Sequence, residues 1–276
     1  MKVMLKLPIL KKFSGFFADI FKGKEDKELF APKKRIREYK IFLIILLLIL
    51  DLSLLYVLYI RPISHVYYPE DVFISNITDK QATISWTTKK GVESLVLLSK
   101  TQNFPILPIF SRQKFNDDKD KIFNDPQPYT LHHVTVSNLL PGKTYRFGMY
   151  VGVKKVRQVK FNTASESKLS EELQSQIKGL VIAPDGKIGM PGVNVYFRAS
   201  TASESSSLLS TITDEYGGWV FDTANLMNKN LSDQFVLSDG MKQEVSISAG
   251  TLGKYELSTR SASLRDWPNL VLREKR

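Results

Sequence analysis

The sequence predicts an all-β protein on a membrane anchor: two tandem antiparallel β-sandwiches after one N-terminal transmembrane helix. Three observations predict it. Residues 41–60, IFLIILLLILDLSLLYVLYI, form one apolar run. Beyond it, short segments of alternating apolar and polar residues are separated by Gly, Pro, Asn and Asp, the spacing of strands and turns. The 276 residues include no cysteine, so disulfides, zinc–thiolate sites and cysteine nucleophiles are excluded. The exported part must then hold by packing alone, which two domains of about 100 residues each can manage.

Residues 1–40 form a basic tail. They hold 12 Lys/Arg and 5 Asp/Glu, a net +7 out of a total of +11, so the high charge belongs mainly to this tail. Such charge reads first as a topology determinant lying against anionic lipid. No nucleic-acid module accompanies it, and nucleic acid is not an expected partner. Within residues 11–24, Phe13, Phe16, Phe17, Ile20 and Phe21 fall on one helical face, the layout of an interfacial helix. The alternative is a basic leader without structure.

The run at 41–60 is long enough to cross the hydrocarbon core, roughly 30 Å at 1.5 Å per helical residue. Lys33, Lys34, Arg35, Arg37 and Lys40 precede it and only Arg61 follows closely, which predicts a cytoplasmic N-terminus and extracytoplasmic C-terminal domains. The run exceeds a signal-peptide core and no small-residue cleavage pattern follows, so it reads as an uncleaved signal anchor. Asp51 lies within the run with Ser53 nearby. The pair is a candidate intramembrane contact with another helix, the other reading being a tolerated carboxyl in a very apolar span.

A linker at 61–67 leads to the first β unit at 68–164. Strands are expected at 71–77, 81–88, 92–99, 129–138, 143–151 and 156–163. Ile84 and Trp86 alternate with Ser85 and Thr87, the pattern of a strand that buries one face. Leu139, Pro141 and Gly142 form a corner before Tyr145, whose ring can be buried while its hydroxyl bonds back to the backbone.

Taken together, Ala82-Thr83-Ile84-Ser85-Trp86-Thr87-Thr88, His133-Val134-Thr135-Val136, Leu139-x-Pro141-Gly142-x-x-Tyr145 and Phe161-Asn162-Thr163 resemble a fibronectin type III domain. The resemblance implies a seven-stranded immunoglobulin-like sandwich with Trp86 in its core and no catalysis; such modules bind partners or act as spacers.

The segment 101–128 is long for a sandwich loop. Its apolar residues Phe104, Ile106, Leu107, Ile109 and Phe110 form a candidate interaction loop, with coverage of the sandwich itself as the alternative. Asp117, Asp118, Asp120 and Asp125 offer oxygen ligands, but without the glycine and terminal glutamate of an EF-hand, and the lysines among them favour a solvated loop. His132 and His133 point to opposite faces of a strand and cannot hold one ion together; His65 is the only other histidine, so no metal is expected.

A polar linker at 165–176 separates this unit from a second one at 177–276. Its sequence runs Ile177-Lys178-Gly179-Leu180-Val181, Asp185-Gly186, Pro191-Gly192-Val193, then Thr213-Asp214-Glu215-Tyr216-Gly217-Gly218-Trp219-Val220-Phe221. Alternating strands joined by Asp-Gly and Gly-Gly turns predict another small sandwich. Gly179, Gly192, Asp214, Gly217 and Phe221 carry a resemblance to the carboxypeptidase regulatory-like family, which implies a transthyretin/prealbumin-like sandwich. Asp214 is expected to bond its own turn. The serines of TASESSSLLSTIT read as a strand-to-strand tip, without a nearby histidine for a hydrolase triad. Some collagen-adhesin relatives of this family carry a Lys–Asn cross-link, for which Lys178, Asn269 and Glu256 are the candidates, with solvated surface residues as the alternative.

No G-x-S-x-G, H-E-x-x-H or P-loop is present, and the two sandwiches occupy nearly all the external residues. The expected function is non-catalytic and cofactor-free: an envelope protein, bacterial by its modules and lack of cysteine, that displays two modules for protein or carbohydrate binding, adhesion or assembly. Its expected partners are membrane lipid and other envelope proteins or an extracellular ligand. The alternative is an accessory part of a secreted hydrolase or phosphatase system.

Overall fold

The computed structural model describes residues 32–99, 113–124, 127–166, 176–238, 240–250, 253–260 and 267–272. The interfacial helix at 11–24, the apolar loop residues Phe104, Ile106, Leu107, Ile109 and Phe110, Asp125 and most of the 165–176 linker lie outside the described residues. The chain divides into two units, Met1–Val57 and Leu58–Arg276.

The first unit contains helix α1, Pro32–Leu55, which runs into a π-helical turn at Tyr56–Ile60. Leu and Ile on every face make it a helix suited to an apolar solvent rather than to a protein core. Among the described residues it is the one helix long and apolar enough to cross a membrane, over Tyr39–Leu58. Asp51 and Ser53 both lie in α1. Two positions apart on a helix they face nearly opposite ways, so a single neighbouring helix meets one or the other.

The second unit is built from sheets. Its first half has β1 (Glu70–Ser75), β2 (Ala82–Val92), β3 (Ser94–Ser99), β4 (Lys114–Phe115), β5 (Tyr129–Val136), β6 (Thr144–Val151) and β7 (Lys154–Asn162). They form a three-stranded sheet, β1-β2-β5, and a four-stranded sheet, β4-β3-β6-β7, all paired antiparallel. Three strands on four in this order is a sandwich of the fibronectin type III or immunoglobulin-like type. Ile84, Trp86, Val134, Val136, Phe147 and Met149 fill its core, and Phe147 stacks on Phe161 at 5.1 Å.

At the corner, Gly142 takes φ 63° and the Tyr145 hydroxyl accepts from the Leu140 amide at 2.8 Å. Leu139 and Tyr145 are both buried.

Two elements depart from expectation. Part of the segment read as a loop carries β4 and the short helix α2, Lys119–Ile122. The polar face of β2 is also not solvated: Thr83 and Ser85 are each fully buried, as completely as Ile84 on the other face. The reason is the second sandwich, which lies over them.

That sandwich comprises β8 (Gln176–Ile182), β9 (Asn194–Ser200), β10 (Leu209–Ile212), β11 (Gly218–Asp222), β12 (Lys242–Ser248), β13 (Lys254–Arg260) and β14 (Leu270–Val271). The sheets are β10-β9-β12-β13 and β11-β8-β14. All pairings but one are antiparallel; β14 runs parallel to β8, with Leu270 opposite Val181. Phe197, Phe221, Val245, Ile247 and Trp267 lie between the sheets.

Gly179 is required by packing: a side chain there would collide with the indole of Trp219. Gly217, at φ 82°, would collide with the backbone of Val181 and Met190. Gly192 holds φ 69° and its amide donates to Thr213 O at 3.0 Å. Asp214 Oδ1 accepts the amides of Tyr216 at 2.9 Å and Gly218 at 2.8 Å, closing the turn before β11. Lys178 and Asn269 are both exposed, so the buried setting that an internal cross-link needs is lacking at both.

Candidate functional site: the polar seam

Strand alternation sends one face of β1-β2-β5 into the first core and the other outward. Ser75, Thr83, Ser85, His133 and Thr135 occupy the outward face; β9 and β10 oppose them with Asn194, Tyr196 and Ser210. The two sandwiches therefore meet through hydroxyl, amide and imidazole groups.

Asn76 anchors one end of the seam. It sits at φ 50°, a left-handed conformation that Asn tolerates better than most residues. Its amide donates to Leu208 O at 2.9 Å. Its side chain brackets Ser210, with Nδ2 donating to Ser210 O and Oδ1 accepting from Ser210 N, both at 2.8 Å.

Ser75 Oγ lies 2.6 Å from Ser210 Oγ, and Ser85 Oγ lies 2.9 Å from the Tyr196 hydroxyl. Asn194 Nδ2 donates to His132 O at 3.1 Å. Phe73 packs on the Tyr196 ring at 5.1 Å, and an ion pair between Lys254 and Asp71 at 2.8 Å closes the rim.

In the middle, Asp118 Oδ2 lies 2.9 Å from His133 Nδ1, and His133 Nε2 lies 3.0 Å from Ser210 Oγ. Thr135 Oγ1 donates to the same Asp118 oxygen at 2.7 Å. This corrects the reading of the serine-rich segment: Ser210 is inside β10, not at a tip, and it has a histidine partner supplied by the other sandwich. The order acid, imidazole, hydroxyl is that of a serine hydrolase.

Hydrolysis needs more than this order: an open position beside the nucleophile and donors for an oxyanion. Ser210 is 6% exposed and its Oγ is already held by Ser75. Neither Ser210 nor His133 lines the clefts of about 490 and 580 Å³ found on the two sandwiches. The arrangement works as a clamp: Ser75 and His133 Nε2 meet Ser210, and Ser85 meets Tyr196, across the interface, while Asp118 holds His133 Nδ1 and Thr135 from within the first sandwich.

A second buried pair lies behind it. Asp117 Oδ2 meets His132 Nδ1 at 3.0 Å, and the His132 ring stacks on Trp86 at 4.7 Å. His132 thus faces the core and His133 the seam. Burial depresses the His132 pKa against the pull of Asp117. Lys119 Nζ donates to Leu131 O at 2.9 Å; burial lowers its pKa to about 8 despite the neighbouring Asp117.

Burial, and then Asp117, raises the Asp120 carboxyl. Asp117 and Asp118 are engaged by histidines rather than turned toward a common point, and no group of three metal-ligating side chains occurs among the described residues. Sequence reasoning identified His132 and His133 as members of a strand but missed their carboxylate partners. Adjacent Asp117-Asp118 and His132-His133, one doublet for each face, were the available signal.

No family model and no curated protein matches this chain. Among solved structures, the chicken CNTN1 FN1-FN3 domains are similar at 11% identity, covering 75% of this chain and 68% of that one with a TM-score of 0.25. BcpA*(D312A), the major pilin subunit of Bacillus cereus, is similar at 11% identity, with 75% and 70% covered and a TM-score of 0.21. The sandwich architecture itself rests on the strand order described above.

Proposed function

We propose that this chain is a non-catalytic, single-pass envelope protein that holds a fibronectin type III module and a carboxypeptidase regulatory-like module outside the membrane, N-terminus cytoplasmic, for protein or carbohydrate binding, adhesion or assembly of a surface complex. The observation that carries the reading is the seam. It joins the two sandwiches into one body, and it engages the serine–histidine–carboxylate group found among the described residues in structural bonds. Two modules fixed to each other present their remaining faces and loops in one set arrangement, which suits recognition or assembly.

In-cell cross-linking, mild-detergent purification and mass spectrometry, run on the wild type and Asp51→Leu in parallel, test it. A reproducible partner set captured through the external modules makes the chain an assembly component, and loss with Asp51→Leu places a contact in the membrane. Recovery of the protein alone favours independent surface display. Hydrolase activity of the purified chain that disappears in Ser210→Ala overturns the non-catalytic reading. Resistance of the C-terminal modules to externally added protease overturns the orientation.

A further inference from the structure

The second sandwich leaves two hydrogen-bond donors without acceptors. Trp219 and Trp267 are 2% and 4% exposed, and the indole Nε1 of each is buried with no hydrogen-bond partner among the described residues. An indole nitrogen can only donate, and a buried donor left unpaired costs free energy in the folded chain. The two residues come from separate segments, β11 and the approach to β14, yet both border the cleft of about 490 Å³ on this sandwich.

Strand β8 explains how they meet there. Trp219 lies opposite Gly179 in the β11–β8 pairing, and Trp267 donates its backbone amide to Lys178 O at 2.8 Å. Because Gly179 has no side chain, the nitrogen-bearing edge of the Trp219 ring lies against the strand: a Cβ at Gly179 would come within 3.1 Å of Nε1. Gly179 itself lines the cleft, which puts that edge at its wall.

Around the indoles the cleft carries Lys178, Asn269 and Asp214, all exposed. The ammonium and the amide add donors, the carboxylate and the amide add acceptors, and the charges of Lys178 and Asp214 balance. Leu180 and Val220 add apolar surface. A small anion would meet the Asp214 carboxylate as well as the donors. An extended peptide adding a strand would need a free backbone edge, whereas β8 is already paired on both sides, by β11 and β14. A sugar ring suits the mixture, since its hydroxyls both accept and donate and its carbon–hydrogen faces pack on apolar side chains.

We propose that this cleft binds a neutral saccharide, whose hydroxyl or acetamido oxygens accept from the Trp219 and Trp267 indoles while Asn269 and Asp214 accept its hydroxyl protons. Both nitrogens are shielded from water in the free chain, so the exposed Lys178 and Asn269 side chains shift as the sugar enters. The proposal rests on the reading of this chain as a binding protein and gives that reading a site and a ligand class.

The chain has three tryptophans, so isotope labelling of the indoles in the full-length protein gives three signals, with Trp86 in the first sandwich as the internal control. Trp219→Phe and Trp267→Phe, which each remove one signal, assign them. The labelled chain in phosphatidylcholine nanodiscs is titrated to millimolar concentration with maltotriose, cellotriose, chitotriose or sodium acetate. The expected result with at least one trisaccharide is a saturable downfield shift of the Trp219 and Trp267 indole protons as each gains an acceptor, with Trp86 unmoved. Asn269→Ala, an exposed position that spares the fold, should bind several-fold more weakly.

No shift with any of the three sugars, an equal shift of all three signals, or full affinity in Asn269→Ala overturns the saccharide site while leaving the wider binding role to protein partners. Shifts produced by acetate alone make the cleft an anion site and overturn it as well. Cleavage of a trisaccharide during the titration overturns the non-catalytic reading, and the proposal with it.

Discussion

The two faces of β2 and β5 enclose different chemistry. On one side Ile84, Trp86, Val134 and Val136 meet an apolar core; on the other Ser85 and His133 meet hydroxyls of the second sandwich. Both faces are dry. The core holds through burial of apolar area, which is non-directional and tolerates small rearrangements. The seam holds through hydrogen bonds that require defined angles. Each adds only about 1 kcal/mol net when made, yet leaving one unmade in a buried site costs about 1–3 kcal/mol. The core therefore provides stability, and the seam provides one allowed orientation of the two modules.

Trp86→Ala should have the largest effect. It empties a fully packed site and removes the stacking partner of His132, for a loss of about 3–5 kcal/mol in denaturant unfolding. Retention of wild-type stability would mean that the first core is not the main support.

Asn76→Ala, which strands the Ser210 amide and carbonyl, should cost about 2–4 kcal/mol. Its signature should differ in kind: calorimetry should resolve the single transition into two as the modules lose their mutual support. A single transition shifted downward would place Asn76 with the core rather than the seam.

Lys119 gives an effect of about 3 kcal/mol that depends on pH, because its folded pKa is about 8 against 10.5 when free. Between these values the unfolded chain binds more protons, so stability rises with pH across the window. Below about pH 8 the full cost of burying the cation is present. Urea midpoints measured from pH 8 to 10.5 should climb in the wild type and stay flatter in Lys119→Met.

Depression of His132 has the same sign at lower pH. Stability should fall as pH drops below about 6.5, where the unfolded ring takes a proton and the buried one does not. His132→Asn should lose stability over that range more gradually, as urea midpoints from pH 7 to 5 would show.

Tyr145→Phe, which removes only the bond to the Leu140 amide, should cost about 1 kcal/mol and leave the seam unchanged. Two calorimetric transitions in this variant would show that the corner also supports the module interface.

The contrast between core and seam also accounts for what the sequence made legible. Alternation of Ile84 and Trp86 with Ser85 and Thr87 identified the strand and its inner face, and the Pro141-Gly142 corner placed Tyr145, because those signals are local. A serine on the outer face of a strand reads the same whether water or another module covers it. Ser85 and Ser210 therefore looked solvated. Asp118, His133 and Ser210 lie up to 92 positions apart in the chain and are joined only by the docking of two sandwiches.

The segment around β4 and α2 was hidden for a related reason. Two strand residues and one helical turn carry too little periodicity to recognise, and Asp117 and Asp118 take up their roles only against β5. The parallel pairing of β14 was equally unmarked, since alternation along a strand carries no record of its neighbour's direction.

The β14–β8 pairing gives the second sandwich a mechanical character. The chain enters β8 at Gln176 and leaves β14 at Val271, and the two strands run side by side in the same direction. Tension applied across this module pulls the paired strands from opposite ends. The bonds from Trp267 N to Lys178 O and from Leu272 N to Ile182 O are then loaded together in shear, not peeled one after another. A ligand that drags on the module's far end would meet a latch that yields all at once or not at all.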